Sequence, residues 1–330
     1  MKKRIVASLS LLFLSCLCAC NSKANRISIF YYDKDDTFLT ELNNKIVDGL
    51  DENYTYKNFY AEKSQLKQNL MVADELDDSN VVLLNMVDRL SAGALVEKCK
   101  QNEVPVVFFN REPLLEDMIT YDDCYYVGPN PEEQGKLQIE CVTDIFGNPG
   151  SLNSKYDLNH DNKIQLVILK GEQGHQDAER RTQSCLSNLR QKGYDIELLS
   201  IGVCNWSRQE AYSLLRQQYY SALGNVELII ANNDEMAIGA ASYIRSVTPP
   251  EGDIIPIIGV DATPAGIDAV NSKLLFSTIV NDADLQAKAI CELVDIFMDS
   301  NKDIKDFSFN IINQKFVYIE SAIYESKKEE

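Results

Sequence analysis

The stretch VPVVFFNRE, at residues 104–112, begins as an almost uninterrupted apolar run and ends in three polar residues. An apolar run without alternation is typical of a strand that is buried on both faces, as the strands of a parallel sheet are. The run VVLL at residues 81–84 has the same character, and residues 90–101 between the two runs show helical spacing. A buried strand, a helix and a second buried strand predict a parallel βαβ unit.

The same alternation continues on both sides of this unit. Strand-like runs also lie at residues 27–31, 164–169, 196–201, 226–231, 255–260 and 275–280, and helical spacing at 38–50, 177–192, 208–223, 236–245 and 264–271. Two such series, before and after about residue 128, predict an α/β protein with two doubly wound parallel-sheet lobes. We expect an N-terminal lobe of residues 26–128 plus about 283–314, and a C-terminal lobe of residues 129–282 plus about 315–330, joined by a three-segment hinge.

Residues 1–19 indicate an export signal rather than part of the fold. A basic start, Lys2-Lys3-Arg4, precedes an apolar run at residues 5–14 that is too short to span a bilayer. The following Leu17-Cys18-Ala19-Cys20 resembles a bacterial lipoprotein cleavage box, which predicts cleavage before Cys20, diacylation of its sulfur and a linker over residues 20–25. Because a two-chain lipid anchors stably, we expect an exported protein on the periplasmic or extracellular face of the membrane. An ordinary signal peptide with incidental cysteines is the alternative.

The charge of the chain limits its partners. The chain carries 32 Lys and Arg against 50 Asp and Glu, for a formal net charge of −18. So acidic a surface argues against nucleic acid and against direct binding to anionic lipid, which leaves the lipid anchor as the expected contact with the membrane. Six cysteines follow Cys20 without a metal-binding spacing. We predict that they are small buried hydrophobic residues, and their disulfide state stays open.

Polar and charged side chains follow nearly every predicted strand, which is where ligands of open α/β sheets bind. They are Asp35, Asp36, Asn110, Arg111, Glu112, His175, Asp177, Arg181, Asn232, Asn233, Asp234, Asp261 and Asn281. Carboxylates, amides and a guanidinium together can satisfy the donor and the acceptors of a sugar hydroxyl. The rings of Phe38 and Trp206 add faces for the C–H groups of a pyranose. The pattern favours a sugar site, against the alternative of turn formers and helix caps.

Six motifs give the mature chain a resemblance to the bacterial galactose/glucose-binding proteins of periplasmic type I. They are VVFFNREP at 106–113, YYVG at 125–128, LKGEQGHQDAE at 169–179, ANND at 231–234, GVDA at 259–262 and VNDA at 280–283. The resemblance implies that Phe38 and Trp206 stack on the sugar and that eight of the polar residues hold it, namely Asp36, Asn110, His175, Asp177, Arg181, Asn233, Asp261 and Asn281. It also implies that Asp36 serves the 4-hydroxyl in either orientation, so that glucose and galactose both bind. Gln176 replaces the family's proline after the histidine, and we do not expect it to touch the sugar.

A separate loop, DLNHDNKIQ at residues 157–165, predicts a structural Ca²⁺ site. Oxygen side chains stand at its positions one, three, five and nine, and the backbone carbonyl of position seven completes an EF-hand-like spacing. These ligands are Asp157, Asn159, Asp161, Lys163 and Gln165. The resemblance adds Glu227 as a distant bidentate carboxylate, and Asn162 stands where the loop needs a positive φ. An Asx-rich turn without metal is the alternative.

The expected function is that of a monomeric, non-enzymatic solute-binding lipoprotein. It would capture D-glucose or D-galactose between its lobes and deliver the sugar to the permease of an ABC importer. A sensor that feeds a chemoreceptor, or a binder of another monosaccharide such as ribose, is the alternative. An enzyme would use His175 and Asp177 in acid–base chemistry or pair Asp36 with Asp261, but the sequence has no phosphate-loop, GxSxG or HExxH motif. The export signal stands where a repressor core would need a DNA-binding domain.

Overall fold

The structure, a computed structural model, describes residues 25–248 and 255–324 and contains two α/β lobes. In chain order the strands are β1 (Arg26–Tyr31), β2 (Thr55–Tyr60), β3 (Val81–Leu84), β4 (Val106–Phe109), β5 (Cys124–Pro129), β6 (Gly147–Asn148), β7 (Ser151–Leu152), β8 (Ile164–Lys170), β9 (Ile196–Val203), β10 (Leu228–Ala231), β11 (Ile257–Asp261), β12 (Ser277–Val280), β13 (Phe316–Ile319) and β14 (Ala322–Ile323). The α-helices are α1 (Thr37–Gly49), α2 (Gln65–Glu75), α3 (Ala92–Gln101), α4 (Leu115–Met118), α5 (Pro131–Phe146), α6 (Gln176–Lys192), α7 (Arg208–Gln218), α8 (Asp234–Val247), α9 (Pro264–Asn271) and α10 (Ala283–Met298).

The first lobe is built on a parallel sheet with the strand order β13-β5-β4-β3-β1-β2. Alternate residues of a strand face opposite helical layers. In β1, Ile27 and Ile29 belong to the apolar core beneath α1 and α10, whereas Phe30 belongs to the core beneath α2 and α3. Because both faces of the sheet are covered, every residue of β3 and β4 is buried, as their apolar sequences predict.

The second lobe has the strand order β14-β12-β11-β10-β8-β9. All neighbours pair in parallel except the short β14, which is antiparallel to β12. Val167 and Leu169 of β8 face the core beneath α7 and α8, and Leu166 and Ile168 face the core beneath α5 and α6. The predicted fold class, two parallel-sheet α/β lobes, is therefore confirmed.

Within the described residues, the chain passes between the lobes three times. The first crossing follows β5 and the second lies between β12 and α10. The third differs from the boundary expected near residue 315, because β13 pairs in parallel with β5 and buries Phe316 and Val317 in the first lobe. The chain returns to the second lobe only after Ile319, where β14 joins the other sheet.

The predicted export signal and lipid anchor lie outside the described residues, which exclude residues 1–19 and Cys20. The cleavage and the lipid therefore stay predictions. Among the helices that are described, none is long and apolar enough to cross a membrane.

The six later cysteines are all buried and unpaired, namely Cys99, Cys124, Cys141, Cys185, Cys204 and Cys291. Burial raises the pKa of each of these thiols, which makes them poor nucleophiles.

Candidate functional site

The structure brings all ten predicted ligand-site residues together around one narrow cavity between the lobes, with about 370 Å³ of unfilled space including its mouth. Its lining is Tyr32, Asp36, Phe38, Asn110, Arg111, His175, Asp177, Arg181, Trp206, Asn233, Asp261 and Asn281. Residues up to Arg111 come from the first lobe, and those from His175 to Asp261 come from the second. Each lobe therefore supplies part of the wall, and a molecule in the cavity would touch both lobes.

Three of the predicted residues are also helix N-caps. Asp36 caps α1, His175 caps α6 and Asn233 caps α8, and each side chain accepts a hydrogen bond from a backbone N–H of its own helix. These three residues therefore fit both interpretations of the polar strand-end residues, as helix caps and as ligand-binding groups. Since the positive ends of three helix dipoles converge on the cavity, acceptor atoms of a ligand are favoured there.

His175 is held as a neutral hydrogen-bond donor. Its Nδ1 accepts from the backbone N–H of Asp177 at 3.2 Å, so the proton of the neutral ring belongs on Nε2. Burial, with the nearby charges of Arg111 and Arg181, lowers the pKa of His175 well below its usual range. The ring also packs edge-on against Trp206, with 4.9 Å between ring centroids.

Arg181 is the buried cation at the centre of the site and is only 3% exposed. Its Nε donates to Gln134 Oε1 at 2.7 Å, and its Nη1 donates to the carbonyl of Asn232 at 2.9 Å. Its Nη2 lies 3.4 Å from Asp177 Oδ2. Burial raises the pKa of Asp177 to about 6 although Arg181 opposes that shift. Asp177 Oδ1 is buried without a hydrogen-bond partner, which leaves it available to a ligand.

Asp261 is the second buried carboxylate of the cavity. Asn281 Nδ2 donates to Asp261 Oδ1 at 3.1 Å, and Gln286 Nε2 donates to Asn281 Oδ1 at 2.7 Å. Burial raises the pKa of Asp261 well above its usual range, and Arg181 and Asn281 act in the opposite direction. The amides of Gln286 and Asn281 fix the orientation of the Asp261 carboxylate through its Oδ1. Its other oxygen, Oδ2, can therefore accept a hydrogen bond from a ligand hydroxyl.

The backbone of the cavity wall departs from ordinary geometry. Asn110, Trp206 and Asp261 have φ values of 60°, 63° and 117°, a region that non-glycine residues rarely adopt. Such conformations persist where the surroundings impose them, and they cluster at ligand sites. Gly171 supports the wall in another way, because a Cβ at this position would lie 2.3 Å from ring carbons of Trp206. Only glycine leaves room for the indole in its observed position.

Two lining residues, Tyr32 and Arg111, were not predicted as site residues. The Tyr32 hydroxyl donates to Asp36 Oδ2 at 3.0 Å, and the Arg111 guanidinium stacks 3.7 Å from the centroid of the Tyr32 ring. Arg111 Nη2 also forms an ion pair at 2.8 Å with Glu172 Oε2 of the other lobe. Tyr32 directly follows β1 and Arg111 is the second residue after β4, and this position at a strand end was the available sequence signal.

The predicted calcium loop belongs to the second lobe, where it leads into β8, and it contributes no residue to this cavity. Asp157 and Glu227 are 3% and 1% exposed, and Glu227 Oε1 accepts from the backbone N–H of Leu158 at 2.6 Å. The structure therefore brings the distant glutamate to the loop. Asn162 has a φ of 59°, as the loop position predicts.

The oxygen donors of this loop fit a hard cation. Within residues 25–248 and 255–324, however, no three or more His, Cys, Asp or Glu side chains form a group that could hold a metal ion. Gln165 Oε1 is buried without a hydrogen-bond partner. Burial, with the nearby charge of Asp157, raises the pKa of Glu227. The backbone N–H of Gln165 lies 3.5 Å from Glu227 Oε2, so its unsatisfied amide oxygen belongs to the same group of oxygen donors, which a divalent cation would stabilise.

Family comparison agrees with this architecture. Residues 27–302 match the family model of the periplasmic binding protein domain. The chain belongs to this family. Members of the periplasmic binding protein family are exported and bind substrates, which fits the expectation of an exported binding protein.

Individual relatives carry names that describe small polar ligands. The chain is 34% identical over 281 residues to the D-galactose/methyl-galactoside binding periplasmic protein MglB of Haemophilus influenzae, covering 82% of this chain and 80% of that protein. It is 22% identical over 293 residues to a xylitol-binding protein of Mycolicibacterium smegmatis, with 87% and 76% covered. A Mycobacterium smegmatis structure in complex with β-D-fucofuranose matches with a TM-score of 0.76 at 18% identity, covering 92% of each chain. The last similarity shows the fold.

Proposed function

We propose that this protein is a solute-binding lipoprotein that captures D-glucose and D-galactose between its lobes and delivers them to the permease of an ABC importer. The main support is that all ten residues expected to hold a hexose line one cavity, with contributions from both lobes. The 34% identity to a protein named for galactose and methyl-galactoside supports the same substrate class. Tethering through a lipid on Cys20 is part of the proposal.

The chemistry of the cavity suits an unreacted sugar. Asp177 Oδ1 is an acceptor without a partner, His175 Nε2 is a donor, and the charge of Arg181 lowers the pKa of both buried carboxyls, Asp177 and Asp261. Hydroxyls that donate to the carboxylates and accept from the imidazole and guanidinium would have all their hydrogen bonds satisfied. A polar site of this kind rejects analogues that lack a hydroxyl, because its own buried groups would be left unpaired.

Two ion pairs join the lobes and would favour the closed form. Arg111 pairs with Glu172 at 2.8 Å, and Arg180 lies 3.5 Å from Glu112. In the mechanism that we propose, the sugar binds one lobe, the second lobe closes over it, and the closed form docks on the permease. The sugar shifts the equilibrium by its higher affinity for the closed form. A chemoreceptor that binds the same closed form is the second candidate partner.

Tryptophan fluorescence should report sugar binding directly. Trp206 is the only tryptophan and lines the cavity, so glucose or galactose should change its emission. Isothermal titration against glucose, galactose, ribose and xylose should give the tightest binding for the two hexoses. In Trp206→Phe the optical signal should vanish while the heat of binding persists. Absence of both signals with saturating glucose and galactose would contradict the proposed function.

We also propose a structural Ca²⁺ at the loop of residues 157–165, held by Asp157, Asn159, Asp161, the carbonyl of Lys163, Gln165 and Glu227. The ion would be bound by oxygen ligands alone, as calcium prefers. It would neutralise the carboxylates and give Gln165 Oε1 a partner. The ion's contribution is to stability, because none of these residues lines the ligand cavity.

Calcium removal should therefore destabilise the protein without changing its sugar affinity. At a calcium concentration one hundred times the dissociation constant, the ion stabilises the fold by about 2.7 kcal/mol. Thermal unfolding should show a lower midpoint after chelation, and Glu227→Gln should abolish the response. Glu197→Gln is the matched control, because Glu197 also accepts from Gln165, at 3.2 Å, without belonging to the ligand set. An unfolding midpoint that is independent of calcium would count against the site.

A further inference from the structure

Asn85 is a buried amide that contacts the wall of the ligand cavity without lining the cavity. It directly follows β3, is fully buried, and is absent from the residues around the cavity. Its Oδ1 accepts from the backbone N–H of Tyr32 at 3.2 Å, just after β1. Its Nδ2 donates to the carbonyl of Phe109 at 3.2 Å, at the end of β4. The side chain therefore joins the ends of β1, β3 and β4.

The remaining hydrogen of the Asn85 amide goes to Asn110, which does line the cavity. Asn85 Nδ2 donates to Asn110 Oδ1 at 3.1 Å, so both N–H groups of Asn85 are used. Among residues 25–248 and 255–324, Asn110 Nδ2 has no hydrogen-bond partner. The oxygen of Asn110 is therefore engaged within the protein, and its NH₂ group is left for a ligand.

The main chain fixes the orientation of both amides. A backbone N–H can only donate, and a backbone carbonyl can only accept. If the Asn85 amide were reversed, its NH₂ would face the N–H of Tyr32 and its oxygen would face the carbonyl of Phe109. Neither contact forms a hydrogen bond, so Asn85 presents its NH₂ to Asn110. Asn110 can accept that bond only through its oxygen, which leaves its own NH₂ as the free group.

Asn85 also holds the backbone turn that carries Asn110. The carbonyl of Phe109 accepts from Asn85 Nδ2 and from the backbone N–H of Arg111, at 2.7 Å. The second of these bonds closes a three-residue turn around Asn110, whose φ is 60°. Such turns with positive φ are rare and strained, and they persist where the surroundings impose them. The bond from Asn85 is one such constraint, because it engages the carbonyl that closes the turn.

A donor at Asn110 suits the other groups of the cavity. Asp36, Asp177 and Asp261 also line it, and an ionised carboxylate can only accept. A hydroxyl that donates its single hydrogen to a carboxylate needs donors for its lone pairs. A reversed Asn110 would add a further acceptor to this set and remove a donor, which would leave a buried sugar oxygen unpaired.

We infer that Asn85 is a positioning residue that fixes Asn110 as a hydrogen-bond donor, so that the sugar oxygen opposite Asn110 is recognised as an acceptor. The inference rests on the proposed function, because the sugar occupies the cavity that Asn110 lines. Asn85 does not touch the sugar and acts only through Asn110. A change at Asn85 should therefore alter the recognition of one sugar oxygen and leave the recognition of the others unchanged.

Titration calorimetry of the full chain with glucose analogues first identifies that oxygen. The probes are glucose, galactose, each monodeoxy-glucose, and the analogue whose ring oxygen is replaced by a methylene group. Asn110→Asp keeps an oxygen towards Asn85 and replaces the free NH₂ by a second oxygen. It should weaken every probe by about tenfold except the analogue that lacks the oxygen opposite Asn110. If the wild type binds neither glucose nor galactose, the proposed function itself fails, which this titration shows separately.

Asn85→Asp should reproduce the same pattern from outside the cavity. Its carboxylate still accepts from Tyr32 but cannot donate to Asn110, so the Asn110 amide reverses and presents its oxygen to the sugar. Glucose and galactose should bind about tenfold more weakly, whereas the affinity for the exceptional analogue should change by less than about twofold. Asn85→Ala buries no charge, should spare the same analogue, and carries the test if Asn85→Asp does not fold. Equal weakening of all probes, or no weakening of any, overturns the inference.

Gln68→Glu is the matched control in the same lobe. Gln68 is fully buried and lies outside the cavity. It donates to the backbone carbonyl of Asn85 at 2.8 Å and accepts from the backbone N–H of Val87 at 2.9 Å. A carboxyl here disturbs Asn85 without touching its side-chain amide, so it should lower the unfolding midpoint and affect all probes equally. Selective sparing of the same analogue by Gln68→Glu would show that the Asn85 amide has no specific role.

Discussion

Arg181→Met is expected to abolish the binding of glucose and galactose. The guanidinium is 3% exposed and donates to Gln134, Asn232 and Asp177 at once. Methionine fills similar volume but leaves those acceptors unpaired, and breaking a buried ion pair typically costs about 3–5 kcal/mol. Without this cation, the pKa values of Asp177 and Asp261 rise further, because Arg181 lowers both. Protonated carboxyls would then replace the acceptors that a sugar needs.

Two companion variants separate binding from folding in this experiment. Arg208→Met removes an arginine of the same lobe whose ion pair with Glu235 is solvent-exposed, with the Arg208 side chain 47% exposed, and it should change stability by less than about 1 kcal/mol. Arg181→Lys keeps the charge but loses the planar fork, so it should fold and bind more weakly than the wild type. Calorimetric titration with thermal unfolding gives both quantities. Wild-type affinity in a folded Arg181→Met protein would contradict the central role of this cation.

The fold was predictable where strands are buried on both faces. The boundaries of β3 (Val81–Leu84) follow from sequence alone, because such strands are apolar throughout. The edge strand β2 (Thr55–Tyr60) was not recognised. It pairs only with β1, and most of its residues are exposed, so its sequence TYKNFY lacks the apolar signature that central strands carry.

The third crossing shows a different limit of sequence reasoning. The short strands β13 and β14 are separated by only two residues and belong to different sheets. Local sequence cannot distinguish these sheets, because both strands are brief. The pairing of β13 with β5 assigns β13 to the first lobe. The two strands are almost two hundred residues apart in sequence, and hydrophobic periodicity carries no information about so distant a contact.

The site was predictable to the extent that strand ends carry planar polar groups. Strand-end position gave a wider set of polar residues, and the family resemblance selected from it, with Phe38 and Trp206, the ten residues that line the cavity. The contributions of Tyr32 and Arg111 were missed because they depend on tertiary contacts. Their cation–π contact joins two strands, and the Arg111–Glu172 ion pair exists only because the lobes meet. The cation–π contact needs the packing of two strand ends within the first lobe, and the ion pair needs the relative position of the lobes; a one-dimensional pattern contains neither.

Asp36 allows the structural and binding roles of a cavity residue to be separated. Asp36 Oδ1 accepts from the backbone N–H of Leu39 at 2.9 Å to cap α1, and Oδ2 accepts from the Tyr32 hydroxyl. Loss of an N-cap costs about 1 kcal/mol of stability. Ser64→Ala is the matched control, because Ser64 caps α2 in the same lobe through the backbone N–H of Lys67 and lies outside the cavity.

Asp36→Ala should therefore lose far more affinity than stability. We expect the affinity for glucose and galactose to fall by about 3 kcal/mol, more than a hundredfold, because a sugar hydroxyl would be buried without its charged acceptor. Ser64→Ala should match the loss of stability and leave the affinity unchanged. Asp36→Asn keeps a good cap and replaces one acceptor oxygen by a donor, so it should fold like the wild type and still bind poorly. If Asp36→Asn bound both hexoses with wild-type affinity, the carboxylate would be a helix cap alone and not a ligand of the sugar.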